Sequence, residues 1–290
     1  MAGARIPINV IVLLAWICDL LPTWGSLCLL TFTYIITGGH YTLYLAWNTG
    51  ARDARGAFRY LRLLALVYFY QKKDLSVPKV FARTAKKHGD KTCLIFEDQS
   101  WSFNDLEEYS NRVAHVFLRA GYKHGDCVAL FMENRLEYVG LWLGCTKLGL
   151  VPALINNNLM GQPLLHSIRA ASATALIYGS ELGKVIHEIS PEIDSSVKLF
   201  VSGPNPDGLK SSLLRGVTNL DPEIVNSISD PLPDSVQKMN HFNDKLLYIY
   251  TSGTTGNFHF FFFGIHDSYS EKKKFFLFFH IFFFNIIFAL

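Results

Sequence analysis

The stretch "YIYTSGTTG", residues 248–256, decides the fold because it joins an apolar run directly to a glycine-bearing loop. Residues 245–250 have the composition of a short buried strand. Glycines let backbone N–H groups approach an anion closely, and hydroxyl side chains add neutral donors around phosphate oxygens. We therefore predict a strand followed by a phosphate-binding loop made of Thr251, Ser252, Gly253, Thr254, Thr255 and Gly256.

Two other glycine-rich loops do not match this stretch. The NTPase P-loop spaces its glycines further apart and needs a Lys followed at once by Ser or Thr. The dinucleotide fingerprint requires GxGxxG, which is absent here, and it lies early in its fold rather than after residue 250. Because Ser, Thr and Gly also occur together in flexible turns, the preceding strand is what favours a phosphate site.

Upstream of the loop, from residue 77 onward, strands and helices alternate. Ser102 followed by Asp105 is a helix-start signal, and Gly121 stands where the C-terminal cap of that helix is expected. Further helices are predicted over residues 136–148, 164–171 and 182–189, and strands over residues 92–97, 127–132, 151–155, 174–178 and 197–201. This alternation predicts an α/β fold with a mostly parallel sheet and helices on both faces. Residues 204–241, rich in Pro, Asp, Asn and Ser, are predicted to form a long irregular connection.

The amino-terminal residues 1–40 have the composition of a membrane anchor. Residues 6–37 contain one formal charge, Asp19, and the run exceeds the ~20 residues that one crossing helix needs. Asp19 and Pro22 interrupt the run, so a kinked span and a re-entrant hairpin both fit. A cleaved signal peptide is disfavoured because the run is too long for its apolar region and no small-x-small site follows it.

Residues 41–76 form a basic segment with many large apolar side chains. Such a segment can lie on an anionic membrane leaflet, and basic residues beside a span favour the cytosolic side. An alternative is that residues 61–69 pack onto the domain that follows. The basic residues are Arg52, Arg55, Arg59, Arg62, Lys72 and Lys73.

Net charge and cysteine usage exclude several classes of function. The formal net charge of +3 is too small to indicate a nucleic-acid partner, and no basic stripe with interleaved aromatics is present. The five cysteines are odd in number and form no CxxC pair, so they indicate neither a zinc site nor a disulfide framework. Reduced, structural thiols are expected at Cys18, Cys28, Cys93, Cys127 and Cys145.

The signature at residues 248–256 resembles the first signature of adenylate-forming enzymes, the acyl-CoA synthetases and their relatives. Two longer stretches, "FMENRLEYVGLWLGCTKLGLVPALINNNL" (residues 131–159) and "DKLLYIYTSGTTG" (residues 244–256), resemble the fatty acid transport proteins, also called very long-chain acyl-CoA synthetases. That family also carries an amino-terminal membrane segment, and the resemblance covers residues 6–256. One departure is Met160 and Gly161, where the family pattern leads us to expect a basic pair.

The resemblance implies activation of a long-chain or very long-chain fatty acid, coupled to fatty acid uptake. The carboxylate attacks the α-phosphorus of ATP to give an acyl-adenylate and pyrophosphate, and the thiol of coenzyme A then displaces AMP. Magnesium accompanies the ATP, and the six loop residues wrap its β- and γ-phosphates; no catalytic residue is assigned. The expected location is the endoplasmic reticulum or plasma membrane, with the α/β domain facing the cytosol and homo-oligomers as an option.

The family pattern covers residues 77–256, a partial AMP-binding domain, and stops there. Its continuation x-Pro-Lys is replaced by Asn257, Phe258 and His259, and neither the acidic ribose motif nor the carboxy-terminal lid follows. Residues 257–290 hold 13 of the 23 phenylalanines. Residues 275–290 are too short for a second span.

Phe, Lys, Ile and Asn are encoded by AT-rich codons, so residues 257–290 look like a translated intron that begins after Gly256. Two hypotheses of function follow. The first is a fatty acyl-CoA ligase, the activity of the family, although we expect this chain to be inactive alone because the catalytic carboxy-terminal part does not follow residue 256. The second is a catalytically silent, membrane-associated fragment or mis-spliced product that binds nucleotide, lipid or a full-length partner.

Overall fold

The computed structural model of this chain describes residues 23–34, 40–203, 216–250 and 260–262, and it divides the chain into two units, Met1–Phe69 and Tyr70–Leu290. The first unit contains helix α1 (Thr23–Tyr34) and most of helix α2 (His40–Lys72). In the described ranges, no helix is long and apolar enough to cross a membrane. Of the span predicted for residues 6–37, α1 is the part that is described; the rest lies outside the described residues.

The second unit contains the remaining helices and strands. The helices are α3 (Val77–His88), α4 (Phe103–Arg119), α5 (Leu136–Lys147), α6 (Gly161–Ala170), α7 (Gly183–Ile189), α8 (Leu220–Val225) and α9 (Asp234–Gln237). The strands are β1 (Thr92–Phe96), β2 (Gln99–Ser102), β3 (Cys127–Phe131), β4 (Val151–Leu154), β5 (Ala175–Gly179), β6 (Lys198–Ser202), β7 (Val217–Asn219), β8 (Tyr248–Tyr250) and β9 (Phe260–Phe262). Short 3₁₀ turns at Ser180–Leu182 and Ser190–Glu192 flank α7.

A seven-stranded sheet with strand order β7-β6-β5-β3-β4-β8-β9 forms the centre of this unit. All neighbouring strands from β7 to β8 pair in parallel, and β9 pairs antiparallel to β8. The register around β3 sets Ala129 opposite Ala153 of β4 and Leu176 of β5. The predicted α/β fold with a mostly parallel sheet is therefore confirmed.

Strand β3 is buried on both faces, as its uninterrupted apolar sequence predicts. Val128 and Leu130 face a core built mainly with α4 and α5, and Ala129 and Phe131 face a core built with α6 and α7. Successive strand side chains point to opposite faces, so one five-residue strand contributes to both cores.

Two parts of the unit differ from the sequence-based expectation. Strand β1 does not join the parallel sheet; it pairs antiparallel with β2 in a separate two-stranded sheet, because the chain reverses at Glu97, which has a φ of 51°. The connection predicted over residues 204–241 contains β7, α8 and α9. These elements have three, six and four residues, which is too short to produce a detectable apolar period.

The predicted start of α4 is confirmed, since the Ser102 hydroxyl accepts from the Asp105 N–H at 3.1 Å and the Asp105 carboxylate accepts from the Ser102 N–H at 2.8 Å.

Helices α4 and α5 approach each other closely because small residues lie between them. Gly144 of α5 lies against α4: a Cβ at this position would be 2.5 Å from Val113 Cβ and 2.7 Å from Ser110 O. The two helices thus depend on a glycine at their contact.

We expect Gly144→Ala to destabilise the second unit by about 1–3 kcal/mol, because the added methyl group overpacks the contact between α4 and α5. The control is Gly56→Ala in α2, where a Cβ meets no atom within 4 Å. That change should be neutral or stabilising by up to about 1 kcal/mol, since alanine is the better helix former. Thermal unfolding followed by circular dichroism measures both, and an unchanged midpoint for Gly144→Ala would contradict the close contact.

Candidate functional site

Strand β8 carries the chain to the predicted loop and contacts β4, β9 and α6. It pairs in parallel with β4, with Tyr248 opposite Ala153. The Tyr250 hydroxyl donates to the Ser167 carbonyl of α6 at 2.7 Å, and burial raises the pKa of Tyr250. Both tyrosines pack against the core on the α6 side, which is ordinary strand packing.

The order of the strands creates a switch point between β3 and β4. The chain passes from β3 through α5 on one face of the sheet to β4, and then through α6 on the other face to β5, which lies on the far side of β3. Connections at the carboxyl ends of β3 and β4 therefore leave toward opposite faces and open a crevice, the usual ligand site of such sheets. Strand β8 ends beside β4, at this same edge.

Residues Thr251, Ser252, Gly253, Thr254, Thr255 and Gly256 lie outside the described residues. The direction of β8 fixes only that the chain enters this segment at the carboxyl edge of the sheet, next to the switch point. Their role in binding ATP phosphates stays a prediction.

Sequence reasoning missed a charged network at the same edge, centred on Arg135. Its Nη1 donates to Glu181 Oε2 at 3.2 Å, and its Nη2 donates to the Ser202 carbonyl at 2.8 Å. Glu181 Oε1 also accepts the Glu133 N–H at 3.0 Å, so this carboxylate joins the ends of β3 and β5. The Arg135 side chain is only 16% exposed. Its Nη1 and Nη2 each make one of these bonds, whereas its buried Nε has no hydrogen-bond partner among the described residues and lies 3.9 Å from Glu137 Oε2.

Asp221 of α8 extends this network to β6. Its two carboxylate oxygens accept from the Ser202 hydroxyl at 2.7 Å and from the Gly203 N–H at 2.8 Å. Gly203 has a φ of 139°, which a residue with a side chain rarely adopts. The sequence does show polar residues directly after apolar strands, which is a signal for this edge of the sheet. Arg135 and Glu181 are 46 positions apart, however, and nothing in that spacing indicates that they pair.

The start of α6 also lies at this edge, at the two positions that depart from the family pattern. Met160 is 63% exposed and provides no side-chain cap, and Gly161 has a φ of 54° with open space around its Cα. No basic side chain is present at these two positions, so the local charge that the family pattern led us to expect there is missing.

Three of the four described cysteines are buried or half-buried. All four are free thiols, and burial raises the pKa of Cys93 and of Cys127 to about 12 and raises that of Cys145 as well. Among the residues that the structure describes, no three His, Cys, Asp or Glu side chains are placed to hold a metal ion.

Comparison with known proteins identifies a match to the AMP-binding enzyme family over residues 81–257, more than half of the chain. The chain is 35% identical to long-chain fatty acid transport protein 1 of Rattus norvegicus over 245 residues, which is 84% of this chain and 37% of that protein. It is also 35% identical to long-chain fatty acid transport protein 6 of Homo sapiens over 190 residues, 64% of this chain and 30% of that protein. These similarities confirm the resemblance that the motifs predict, and the chain spans about a third of the length of these relatives.

Solved structures show the same fold at lower identity. An anthranilate CoA ligase in complex with anthranoyl-AMP matches with a TM-score of 0.57 and 22% identity, over 65% of this chain and 34% of that one. A long-chain-fatty-acid-CoA ligase from Archaeoglobus fulgidus matches with a TM-score of 0.53 and 20% identity, over 66% of this chain and 36% of that one.

The hydrogen bond that ties β8 to α6 can be tested by substitution. Tyr250→Phe should lower the free energy of unfolding by about 1 kcal/mol, because it removes one intramolecular hydrogen bond at a largely buried site. Tyr138→Phe is the control: Tyr138 is partly buried, and in the described part of the chain its hydroxyl has no partner. Urea denaturation should show a change of less than about 0.5 kcal/mol for that variant. Equal effects of the two substitutions would argue against the Tyr250 contact.

Proposed function

This chain belongs to the AMP-binding enzyme family, and from that premise we propose that it takes part in the ATP-dependent activation of long-chain or very long-chain fatty acids. The fatty acid carboxylate attacks the α-phosphorus of ATP, an acyl-adenylate forms and pyrophosphate leaves. The coenzyme A thiol then attacks the acyl carbon, the thioester forms and AMP leaves. The proposal of a fatty acid as substrate rests on the names of the relatives to which the chain is similar.

One structural observation supports the nucleotide part of this proposal. Strand β8 runs parallel to β4 and ends beside the switch point, and the hydroxyl- and glycine-rich residues 251–256 follow it without a break. A segment of this composition offers backbone N–H groups and hydroxyl donors to a polyphosphate. Holding the pyrophosphate leaving group while its charge develops is the main contribution a protein makes to such a displacement.

Magnesium bound to ATP would neutralise part of the triphosphate charge, and the loop hydroxyls would complete the shell of donors. The network of Arg135, Glu181 and Asp221 has a positioning role in this proposal. It joins the ends of β3, β5 and β6, so the edge on which the substrates meet stays rigid.

We also propose that α2 lies on an anionic membrane surface, with the second unit on the cytosolic side. The spacing of three, four and three residues between Arg52, Arg55, Arg59 and Arg62 puts these side chains along one side of the helix. Phe58, Leu61 and Tyr68 are each more than 60% exposed. A helix that combines basic and large apolar side chains is suited to the interface between headgroups and acyl chains.

A second candidate function is binding without turnover. The observation that favours it is the replacement of the family's x-Pro-Lys by Asn257, Phe258 and His259 directly after the loop. In that case the chain would bind nucleotide, lipid or a full-length partner at the membrane and would release no AMP.

The two candidates are separated by measuring binding of MgATP and formation of AMP on the same preparation. Purified chain with ATP, magnesium, oleate and coenzyme A should form AMP if it activates fatty acids, whereas a silent protein should bind MgATP without turnover. Thr254→Val should weaken MgATP binding about 10–100-fold, because a hydrogen bond to a charged group contributes about 1.5–3 kcal/mol. Thr218→Val, in the exposed middle of β7, removes a threonine hydroxyl elsewhere and should leave binding unchanged. If wild-type chain binds no MgATP, both candidate nucleotide functions are wrong.

Membrane binding should depend on the arginines of α2. Replacing Arg52, Arg55, Arg59 and Arg62 by glutamate should sharply reduce flotation with vesicles that contain phosphatidylserine, since each basic residue near an anionic surface contributes about 1 kcal/mol. Raising the salt concentration should weaken wild-type binding in the same direction. Vesicles of phosphatidylcholine alone are the control. Flotation of the variant that equals wild type on phosphatidylserine vesicles would refute the electrostatic part of the proposal.

A further inference from the structure

A second pocket lies away from the edge at which β8 ends. It has a volume of about 700 Å³ and is enclosed by α3, by the start of α4, by the end of α5 and by residues 231–240. Lys147, which lines it, is the last residue of α5 and precedes β4, and Asn240, which also lines it, precedes β8. The pocket is therefore near the amino edge of the parallel sheet, opposite the crevice of the proposed nucleotide site.

Cations dominate the lining of this pocket, which contains five basic residues against the two carboxylates Glu107 and Asp234. Three of the basic side chains belong to α3, where a spacing of four and three residues places them on one side of the helix. The basic residues are Lys79, Arg83, Lys86, Lys147 and Lys238.

The two inner cations already have structural partners. Lys147 is 7% exposed; its Nζ lies 2.8 Å from Glu107 Oε2 and 2.6 Å from Asn111 Oδ1. Burial lowers the pKa of Lys147, and the Glu107 carboxylate opposes that effect. Lys79 Nζ donates to the Asn240 carbonyl at 2.5 Å, which ties α3 to the segment before β8. These contacts keep the floor of the pocket in place.

The three outer cations have no such partners. Within the described part of the chain, the side chains of Arg83, Lys86 and Lys238 make no ion pair or hydrogen bond, and all three are exposed residues that line the same cavity. An anion placed between them would be attracted by all three charges. Lys238 lies in a different segment from Arg83 and Lys86, so the three cations do not form a stripe on one helix.

The volume and the lining residues of the pocket indicate which kind of anion it can hold. A cavity of this volume falls within the usual range for small-molecule sites, about 300–1,000 Å³, and exceeds what a single phosphate ion fills. Pro78, Ala82 and Leu232 supply an apolar wall beside the cations. An arginine fork together with lysine point charges is the usual protein environment for a phosphate group.

We propose that this pocket binds the phosphate monoester of a small organic ligand, with the phosphate between Arg83, Lys86 and Lys238 and the organic part against the apolar wall. The site is separate from residues 251–256 and does not depend on the proposed function. Two sources share this chemistry: a soluble organic phosphate, and the headgroup of phosphatidic acid.

The test compares a variant that lacks the three outer cations with a charge-matched control. Arg83→Ala, Lys86→Ala and Lys238→Ala are combined in one chain; Lys87→Ala, Lys91→Ala and Lys123→Ala, which remove three exposed lysines that do not line the pocket, are combined in the other. Inorganic phosphate and glycerol 3-phosphate are titrated by calorimetry at constant ionic strength. We expect the pocket variant to bind both at least about tenfold more weakly than the wild type and the control, because three charged contacts are lost.

A second variant removes space instead of charge. Ala82→Trp should fill the cavity and exclude glycerol 3-phosphate while all five cations are retained. All of these chains keep residues 251–256, so phosphate binding at the loop is common to them and cancels in the comparison. Equal affinities in wild type and both pocket variants would overturn the proposal, as would a loss of binding in the charge-matched control that equals the loss in the pocket variant.

Vesicle flotation distinguishes the two sources. Phosphatidylcholine vesicles that contain either phosphatidic acid or phosphatidylserine are compared for the pocket variant and its control. A loss specific to the pocket variant and to phosphatidic acid identifies the lipid headgroup as the source. Equal flotation of the two chains on both vesicles, together with the tenfold loss for glycerol 3-phosphate, identifies a soluble ligand. If neither soluble phosphate nor phosphatidic acid distinguishes the two chains, the proposal is wrong.

Discussion

The rest of the second unit depends on the burial of β3 on both of its faces. A strand whose five side chains are all inaccessible must be covered on each side, and here α4 and α5 cover one side while α6 and α7 cover the other. Covering both faces requires the chain to cross the sheet after β4, and this crossing sets β5 and β4 on opposite sides of β3. The switch point, and with it the crevice at the carboxyl edge, is thus a consequence of two-sided burial.

How much of this could be predicted depends on the length of each element. The apolar runs of β3 and β5 and the capping signal of α4 are clear local patterns. The sequence alone therefore predicts that these elements exist and whether each is a strand or a helix. Strand β7 and helix α8 have no such signal because they are held by contacts distant in sequence, such as the pairing of Leu199 with Val217. The Arg135 network was not predictable for the same reason: its partners belong to three different strand ends that only the folded sheet brings together.

The two edges of the sheet use charge differently. At the carboxyl edge the guanidinium of Arg135 is paired with Glu181 and with the Ser202 carbonyl, and these two bonds hold strand ends together. At the amino edge Lys147 is similarly satisfied, but the three cations outside it are not. A buried cation with partners holds segments of the fold together, whereas exposed cations that line a cavity can contact an anionic ligand.

The short strand β8 joins the sheet to residues 251–256, the proposed nucleotide-binding segment. Its two paired positions with β4, its pairing with β9 and the bond from Tyr250 to α6 orient the chain as it enters residues 251–256. A loop that binds phosphate through backbone N–H groups needs its first residue fixed, because the donors must converge on one point without reorganising. If residues 251–256 bind nucleotide as proposed, pairing of β8 with the sheet and nucleotide binding are linked: a ligand that binds only when β8 is paired stabilises the paired state by RT ln(1 + [L]/Kd). The stability of this small part of the sheet thus contributes directly to the affinity of the proposed site.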